Sequence, residues 1–220
     1  MKPRCFMKII RVNVGKPKEH SYNENTYRSG ISKRSVQEVM VTEERFVGDD
    51  VENHEYHGGK ERAVCFYPYE HYQKWETEFN KTLNIPAFGE NLTVTGMKED
   101  EVFIGDIFQI GEAVIQICQG RIPCSTISKF NGVDPLLKRI IETGFTGYFG
   151  KVIKEGSISE SSEIILIDQH PLQISILEAN QTLFHDFKNK ERLEKIMEVK
   201  ELASAWKKAI QKKLMAPHKN

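Results

Sequence analysis

Short hydrophobic runs separated by glycine-rich turns occupy most of the chain before residue 170 and predict β-strands. The segment Lys8–Val14 is rich in β-branched residues, and a similar run covers residues 62–67. Residues 107–110 and 113–118 flank a two-residue Gly-Glu turn, which is typical of a β-hairpin. Because residues 113–118 are apolar on both faces, we expect that strand to lie in the centre of a sheet.

A helical repeat follows the run at residues 62–67. Tyr69, Tyr72, Trp75 and Phe79 recur at near-helical spacing, with Glu and Lys between them. This spacing predicts an amphipathic helix with one aromatic face.

After residue 130 one more short helix is predicted, in which Asp134 caps the N-terminus, Pro135 fits the first turn and Gly144 marks the end. Two further strands are predicted near residues 147–154 and 163–168. Many short strands with few helices favour a mainly β fold, a closed or half-closed barrel.

From Pro171 onward the pattern becomes helical. Ser175 and Glu178 form a capping-box pattern. Three apolar helical stripes follow: Ile176, Leu177, Leu183, Phe184 and Phe187; then Leu193, Ile196 and Met197; then Leu202, Ala203, Trp206, Ile210 and Leu214. We therefore divide the chain into a β-barrel domain at residues 1–170 and a three-helix domain at residues 171–220. Because so small a unit has little core of its own, we expect its stripes to pack on the barrel or across a homodimer.

Composition and charge narrow the class of protein. The 220 residues carry 31 Lys plus Arg against 31 Asp plus Glu, a formal net charge of zero, which argues against a polybasic nucleic-acid binder. Hydrophobic residues make up 39% and charged residues 28%, as in soluble globular proteins. No apolar run approaches the roughly 20 residues that span a bilayer, and the N-terminus lacks the apolar stretch of a signal peptide. We expect a cytoplasmic protein without a membrane segment.

A local basic face is predicted on the last helix. Lys207, Lys208, Lys212 and Lys213 lie opposite the stripe that contains Trp206. They could contact nucleic acid or an acidic redox partner, and we favour the alternative of a solvated helix face.

One of the four cysteines stands in a polar loop. Cys124 follows the predicted central strand, close to Arg121, and a nearby cation favours the thiolate that attacks electrophiles or binds soft metals. Cys65 and Cys118 lie inside apolar strands and are interpreted as small core residues. Cys5 stands near the N-terminus and is assigned no role.

Two other polar clusters contain candidate ligands. His54 and His57 are three residues apart but lack a nearby third metal ligand, so we favour a solvated loop there. In the same cluster, the backbone N–H groups of Gly58 and Gly59 could bind an anion. The other cluster contains Asn91, which could be no more than a turn residue.

Taken together, these clusters resemble the MOSC-domain family, and within it the bacterial YiiM-like proteins. The matching residues are His57-Gly-Gly-x-x-Arg62-Ala, Tyr67-Pro68-x-Glu70-His71-Tyr72, Phe88-Gly89-Glu90-Asn91-Leu92, Ile104-Gly105-Asp106-Ile107-Phe108 and Arg121-x-Pro123-Cys124. The resemblance covers residues 8–168 in order, and the helical tail matches the three-helix unit that often follows this domain. It implies a β-barrel that binds molybdenum cofactor or carries sulfur.

The resemblance also implies a role for particular residues. Cys124 occupies the place of the cysteine that ligates molybdenum, and a thiolate suits that metal beside the two dithiolene sulfurs of the pterin. Arg62, Arg121 and the backbone of Gly58 and Gly59 are then candidates to bind the pterin phosphate.

Three further residues become candidate contacts to the pterin or substrate under the same resemblance, namely His57, Glu90 and Asn91. One departure concerns the eukaryotic amidoxime-reducing relatives, which have an Arg in the segment that matches residues 88–91. This chain has Gly89 or Glu90 there, so we do not expect phosphate binding by that route.

The resemblance leads to an expected activity. YiiM-like proteins are associated with detoxification of N-hydroxylated base analogues, so we expect a molybdenum-cofactor-dependent reductase that converts hydroxylaminopurine-type substrates to amines. Neither a dinucleotide fingerprint nor a cysteine array for an iron–sulfur cluster is present in the sequence, so electrons would come from an external flavin-type reductase.

Two alternatives use the same thiol. The protein could be a carrier that passes molybdenum cofactor, or sulfur held as a persulfide on Cys124, to another enzyme. In a third reading Cys124 is the nucleophile of a hydrolase with His57 as base, although no third orienting residue is evident.

Overall fold

The computed structural model of the chain describes residues 6–215. Within that range the strands are β1 (Lys8–Val14), β2 (Lys18–Tyr22), β3 (Asn25–Ser29), β4 (Arg34–Val36), β5 (Glu38–Val41), β6 (Val64–Pro68), β7 (Leu92–Thr95), β8 (Ile107–Ile110), β9 (Ala113–Gly120), β10 (Tyr148–Lys154), β11 (Gly156–Ser159) and β12 (Ile164–Asp168). The helices are α1 (His54–His57), α2 (Glu70–Phe79), α3 (Thr126–Asn131), α4 (Leu136–Thr143), α5 (Ile176–Phe184), α6 (Lys190–Met197) and α7 (Ser204–Met215), with a short 3₁₀ turn at Lys60–Arg62. None of the helices in this range is both long and apolar enough to cross a membrane.

Eight strands form one sheet in the order β12-β8-β9-β10-β6-β7-β1-β4, and β5 with β11 and β2 with β3 form two smaller sheets. The large sheet keeps two edges, β12 and β4, so it is a half-barrel. The predicted mainly β fold with a C-terminal three-helix unit is therefore confirmed. Strand β9 lies between β8 and β10 and is almost wholly buried, as its apolar pattern predicts.

One pairing in the large sheet is parallel. Strand β6 runs parallel to β7, with Phe66 opposite Leu92, whereas the other strand pairs of this sheet among the described residues are antiparallel. A parallel pair requires a crossover connection, and here that connection contains α2. The crossover places Asn91 beside Cys65, whose carbonyl oxygen accepts from the Asn91 N–H at 2.8 Å.

Two local predictions are wrong, and one helix was missed. Pro135, not Asp134, occupies the N-cap position of α4, no side chain caps that helix, and the Asp134 carboxylate accepts a hydrogen bond from the Tyr22 hydroxyl. Phe187 lies after α5 instead of on its apolar face, and 42% of its surface is exposed. Helix α3, directly after the Cys124 loop, was not anticipated from the sequence pattern.

The tail helices share a core with the half-barrel. One hydrophobic cluster joins the inner face of the sheet to Ile176, Leu183, Leu193, Trp206 and Ile210. Ser175 caps α5 as predicted, since its hydroxyl accepts from the Glu178 N–H at 3.0 Å. The apolar stripes thus pack on the barrel, whereas the domain boundary at residue 170 stays a prediction. Cys5 lies outside the described residues.

Candidate functional site

A cavity of about 190 Å³ opens where β6, β9 and the loops around them meet. It is lined by Arg28, Ser29, Gly30, Ile31, Lys33, Asp49, Val51, Glu52, Asn53, His57, Arg62, Cys65, Gly89, Asn91, Arg121, Cys124, Thr126 and Phe149. The structure therefore brings together five of the residues predicted from the sequence, which are His57, Arg62, Asn91, Arg121 and Cys124.

Cys124 is held between a strand and a helix. Strand β9 ends at Gly120, and α3 begins at Thr126, where the Ile127 N–H donates to the Cys124 carbonyl oxygen at 3.2 Å. The Cys124 residue is partly exposed, and its thiol has no hydrogen bond or ion pair with the described residues. A free, accessible thiol on a fixed loop is suited to bind a soft metal or to react with an electrophile.

The guanidinium of Arg121 contacts Phe88 and Cys65. Its Nη1 atom donates to the Phe88 carbonyl oxygen and lies 3.9 Å from the Sγ atom of Cys65. The sequence placed this cation beside Cys124, but the thiol that it contacts is that of Cys65. Burial raises the pKa of Cys65, and the Arg121 charge partly opposes this rise.

Arg62 and His57 also line the cavity. Arg62 is the last residue of the 3₁₀ turn and donates from Nη1 to the Gly58 carbonyl oxygen at 3.1 Å. The pKa of His57 is lowered, first because part of its ring is removed from solvent and then because Arg121 and Arg62 are nearby cations. Its imidazole is therefore neutral at pH 7 and offers one donor and one acceptor.

The two glycines do not line this cavity. Gly58 and Gly59 line a neighbouring space of about 30 Å³ that shares Asp49, His57 and Arg62 with the main cavity. The Gly58 N–H already donates to the His54 carbonyl oxygen at 3.0 Å, so it is not free for an anion as the sequence predicted. Of the two backbone N–H groups predicted to bind an anion, only that of Gly59 is still a candidate.

Asn91 connects the cavity to a buried ion pair. Its Nδ2 donates to Oδ2 of Asp49 at 2.8 Å, and Lys33 Nζ donates to the same oxygen at 2.5 Å. The Lys33 and Asp49 side chains are only 5% and 7% exposed. The Oδ1 atom of Asn91 accepts from the Cys65 N–H at 3.1 Å. Because both ends of the Asn91 amide are hydrogen-bonded to the protein, the role of this side chain is to hold the wall of the cavity.

Glu90 lies outside the cavity, although the sequence made it a candidate contact. It is completely buried and accepts from the Tyr72 hydroxyl at 2.6 Å, the Thr93 hydroxyl at 2.8 Å and the Phe88 N–H at 3.1 Å. These bonds tie the loop before β7 to α2 through Tyr72 and to β7 through Thr93. The geometry makes Glu90 a structural carboxylate.

Four other residues of the site were missed by sequence reasoning. Arg28, Lys33 and Glu52 bring charge to the cavity, and Thr126 brings a hydroxyl. Arg28 pairs with Glu52 at 3.2 Å across the cavity rim. Arg28, Lys33 and Glu52 come from the β2–β3 hairpin and loops far from Cys124 in the chain, so no local pattern connects them with it. Thr126 follows Ser125 directly after Cys124, and its nearness to Cys124 was the signal that could have found it.

The cavity carries unpaired positive charge. Lys33 is paired with Asp49 and Arg28 with Glu52, but Arg62 and Arg121 have no carboxylate partner within the described residues. Two unpaired guanidinium groups attract an anion, and their planar donors suit phosphate. The arrangement therefore fits a ligand that is anionic at one end and carries a thiophilic atom at the other.

Other readings find less support in the geometry. His54 pairs with Asp50 at 3.3 Å, and no group of three His, Cys, Asp or Glu side chains that could hold a metal occurs within residues 6–215. His57 and Cys124 both line the cavity, but no hydrogen bond joins their side chains in the described part of the chain. The nucleophile–base contact that a hydrolase needs is thus not formed here.

Comparison with known proteins gives two matched segments. Residues 53–164 match the MOSC domain, and residues 174–216 match the YiiM-like, 3-alpha helix domain. The chain is 38% identical over 206 residues to the uncharacterized protein YflK of Bacillus subtilis strain 168, and the match covers 93% of each chain. It is 32% identical over 192 residues to Protein YiiM of Escherichia coli K12, covering 86% of this chain and 85% of that one.

A solved structure and a longer protein add to this. The crystal structure of YiiM from Geobacillus stearothermophilus superposes with a TM-score of 0.81 and 32% identity, covering 94% of this chain and 99% of that chain. A Gibberella moniliformis protein named Reductase is 34% identical over 131 residues, which are 58% of this chain but only 23% of that protein.

Proposed function

Because this chain belongs to the MOSC-domain family and carries a YiiM-like three-helix domain, we propose that it is a molybdenum-cofactor-dependent oxidoreductase that reduces N-hydroxylated compounds to amines. MOSC domains are associated with molybdenum-cofactor binding. The observation that carries the proposal is the free Cys124 thiol in one cavity with the unpaired guanidinium groups of Arg62 and Arg121.

The residues of the cavity fit both ends of the cofactor. Cys124, as a thiolate, ligates the metal, and no second protein ligand is required where the pterin supplies two dithiolene sulfurs. Arg62 and Arg121 bind the pterin phosphate through charge-assisted hydrogen bonds. When bound, the cofactor supplies two-electron redox chemistry.

The protein's own groups bind and orient the substrate. The overall conversion takes R–NHOH, two electrons and two protons to R–NH₂ and water. His57, neutral at pH 7, can donate or accept a hydrogen bond at the N–OH group. Asn91 and the Lys33–Asp49 pair hold part of the cavity wall in place. The electrons come from an external flavin-type reductase.

The Gibberella relative named Reductase supports an oxidoreductase as the class of enzyme. The narrower substrate class, hydroxylaminopurine-type base analogues, follows from the resemblance to YiiM-like proteins. A neutral imidazole beside an anion-binding cavity is compatible with such a heterocyclic, hydrogen-bonding substrate.

The test is to purify the protein from a host that makes the cofactor, measure molybdenum and pterin, and assay reduction of hydroxylaminopurine with an artificial electron donor. We expect wild type to contain metal and to turn over, and Cys124→Ala to lose both. Cys118→Ala is the matched control, because Cys118 is fully buried and lies outside the cavity. If Cys124→Ala kept both metal and activity, the assignment of Cys124 as metal ligand would be refuted. If the wild-type protein contained metal but did not reduce the substrate, a cofactor carrier would be favoured.

A further inference from the structure

The strand that leads into the site is hydrogen-bonded to the start of α7. The indole N–H of Trp206 donates to the Gly120 carbonyl oxygen at 2.9 Å, and the Ala203 N–H donates to the Cys118 carbonyl oxygen at 3.0 Å. Trp206 is completely buried. The last residues of β9 before Arg121 are therefore held by the three-helix unit.

The same turn of α7 also binds the element that carries Arg62. The Glu61 carboxylate accepts from the Ser204 hydroxyl at 2.6 Å and from the Ser204 N–H at 2.9 Å. The Glu61 carbonyl oxygen in turn accepts from Gln119 Nε2 at 3.3 Å. Residues 203–206 thus connect the two backbone segments that present the unpaired guanidinium groups of the cavity.

No space remains between these elements. A Cβ atom at Gly120 would lie 2.0 Å from Oδ1 of Asn180 and 3.0 Å from the Trp206 ring. Helices α5 and α7 therefore touch the backbone at the end of β9, which restricts its movement.

We infer that Trp206 and Ser204 are positioning residues of the cavity. By holding Gly120 and Glu61, they fix the Cys124 loop and Arg62 relative to each other. The position of a loop depends on the residues that hold it, and a binding site needs its protein side chains held to within a fraction of an ångström. The inference rests on the proposed function only for the identity of the bound group, since the positioning is a property of the cofactor-free chain.

The measurement is the rate at which Cys124 reacts with dithionitrobenzoate in full-length, cofactor-free protein. All variants carry Cys5→Ser, and a Cys124→Ser chain identifies the signal. The buried thiols react slowly, since burial raises the pKa of Cys65 and raises that of Cys118 to about 12. Trp206→Phe removes the N–H donor but keeps an aromatic ring, and Ser204→Ala removes only a hydroxyl.

Cys124 is only partly exposed, so its reaction with this bulky reagent requires the loop to open further. We expect Cys124 in each variant to react roughly 2- to 12-fold faster, because one lost hydrogen bond changes that local opening equilibrium by this factor. Gln181→Met is the matched control: it removes a bond of 2.9 Å from the same unit to Thr143, away from β9. The inference is overturned if Cys124 reacts at the wild-type rate in both variants, or if its rate in Gln181→Met rises as much as in them. Absence of molybdenum from wild type would refute the proposed function and leave this comparison intact.

Discussion

The guanidinium of Arg121 lies 3.9 Å from the sulfur of Cys65, although Cys118 and Cys124 are both much nearer to it in sequence. The Arg121 side chain also donates to the carbonyl oxygen of Phe88, on the loop before β7. The cation is therefore engaged by Cys65 and Phe88, and no hydrogen bond joins it to Cys124 within the described residues.

Arg121→Gln removes one of the two unpaired charges and should weaken cofactor binding. A hydrogen bond to a charged group contributes about 1.5–3 kcal/mol, so we expect the variant to retain less molybdenum and pterin per chain after dialysis. Arg139→Gln is the control, because Arg139 pairs with Glu78 and Glu142 at the surface. Equal cofactor content in the two variants would contradict the role assigned to Arg121.

Asp49→Ala should destabilise the fold strongly, because it leaves Lys33 buried without its partner. Breaking a buried pair in this way costs about 3–5 kcal/mol, measured as the free energy of unfolding in urea. Lys98→Ala, which removes an exposed pair with Asp100, should change stability by about 0–1 kcal/mol. If Asp49→Ala and Lys98→Ala lost similar amounts of unfolding free energy, the Lys33–Asp49 pair would not stabilise the cavity wall as we describe.

The pKa of His57 should lie below its ordinary value of 6.5, and Arg121→Gln should raise it. The physical reason is that the neighbouring cation disfavours the protonated ring. The unfolded chain then binds more protons than the folded one between the folded-state pKa and 6.5, so this group lowers stability as the pH falls through that window. Titration of the ring protons by NMR measures both effects, and an unchanged pKa in Arg121→Gln would show that the charge acts elsewhere.

Tyr72→Phe should cost stability without changing cofactor content. The Tyr72 hydroxyl donates to Glu90 and accepts from the Ala87 N–H at 2.8 Å, and all three groups are buried. Leaving buried groups unsatisfied costs about 1–3 kcal/mol each. Tyr56→Phe, at an exposed ring on α1, is the control for thermal unfolding. If a stably folded Tyr72→Phe protein lost its molybdenum, the purely structural role of Glu90 would be contradicted and Glu90 would again be a candidate cofactor contact.

Sequence patterns predicted the parts of the fold that depend on neighbouring residues. The β8–β9 hairpin follows from its turn and alternation, and the cap of α5 follows from Ser175. Asp134 fails as a cap because its carboxylate is engaged by Tyr22 from a distant hairpin, a contact that no local pattern contains.

Site residues that belong to a loop motif were predicted from the sequence. Site residues that come together from distant segments of the chain were missed. Successive residues entering a strand point to opposite faces, so Asn91 faces the cavity while Glu90 faces α2, and the motif alone does not say which is which. Lys33 and Asp49 meet only through their tertiary contact. Their spacing in the sequence does not predict that they form an ion pair.

The hydrogen bond between Trp206 and Gly120 spans 86 positions of sequence, and this has a consequence for biosynthesis. At about 5–20 residues per second, the segment with Cys124 leaves the ribosome several seconds before Trp206 does. During that interval the strand end has no indole to bind. The Cys124 loop therefore gains this support only after most of the chain has been made, so a ligand that needs the supported loop would bind the folded protein and not the nascent chain.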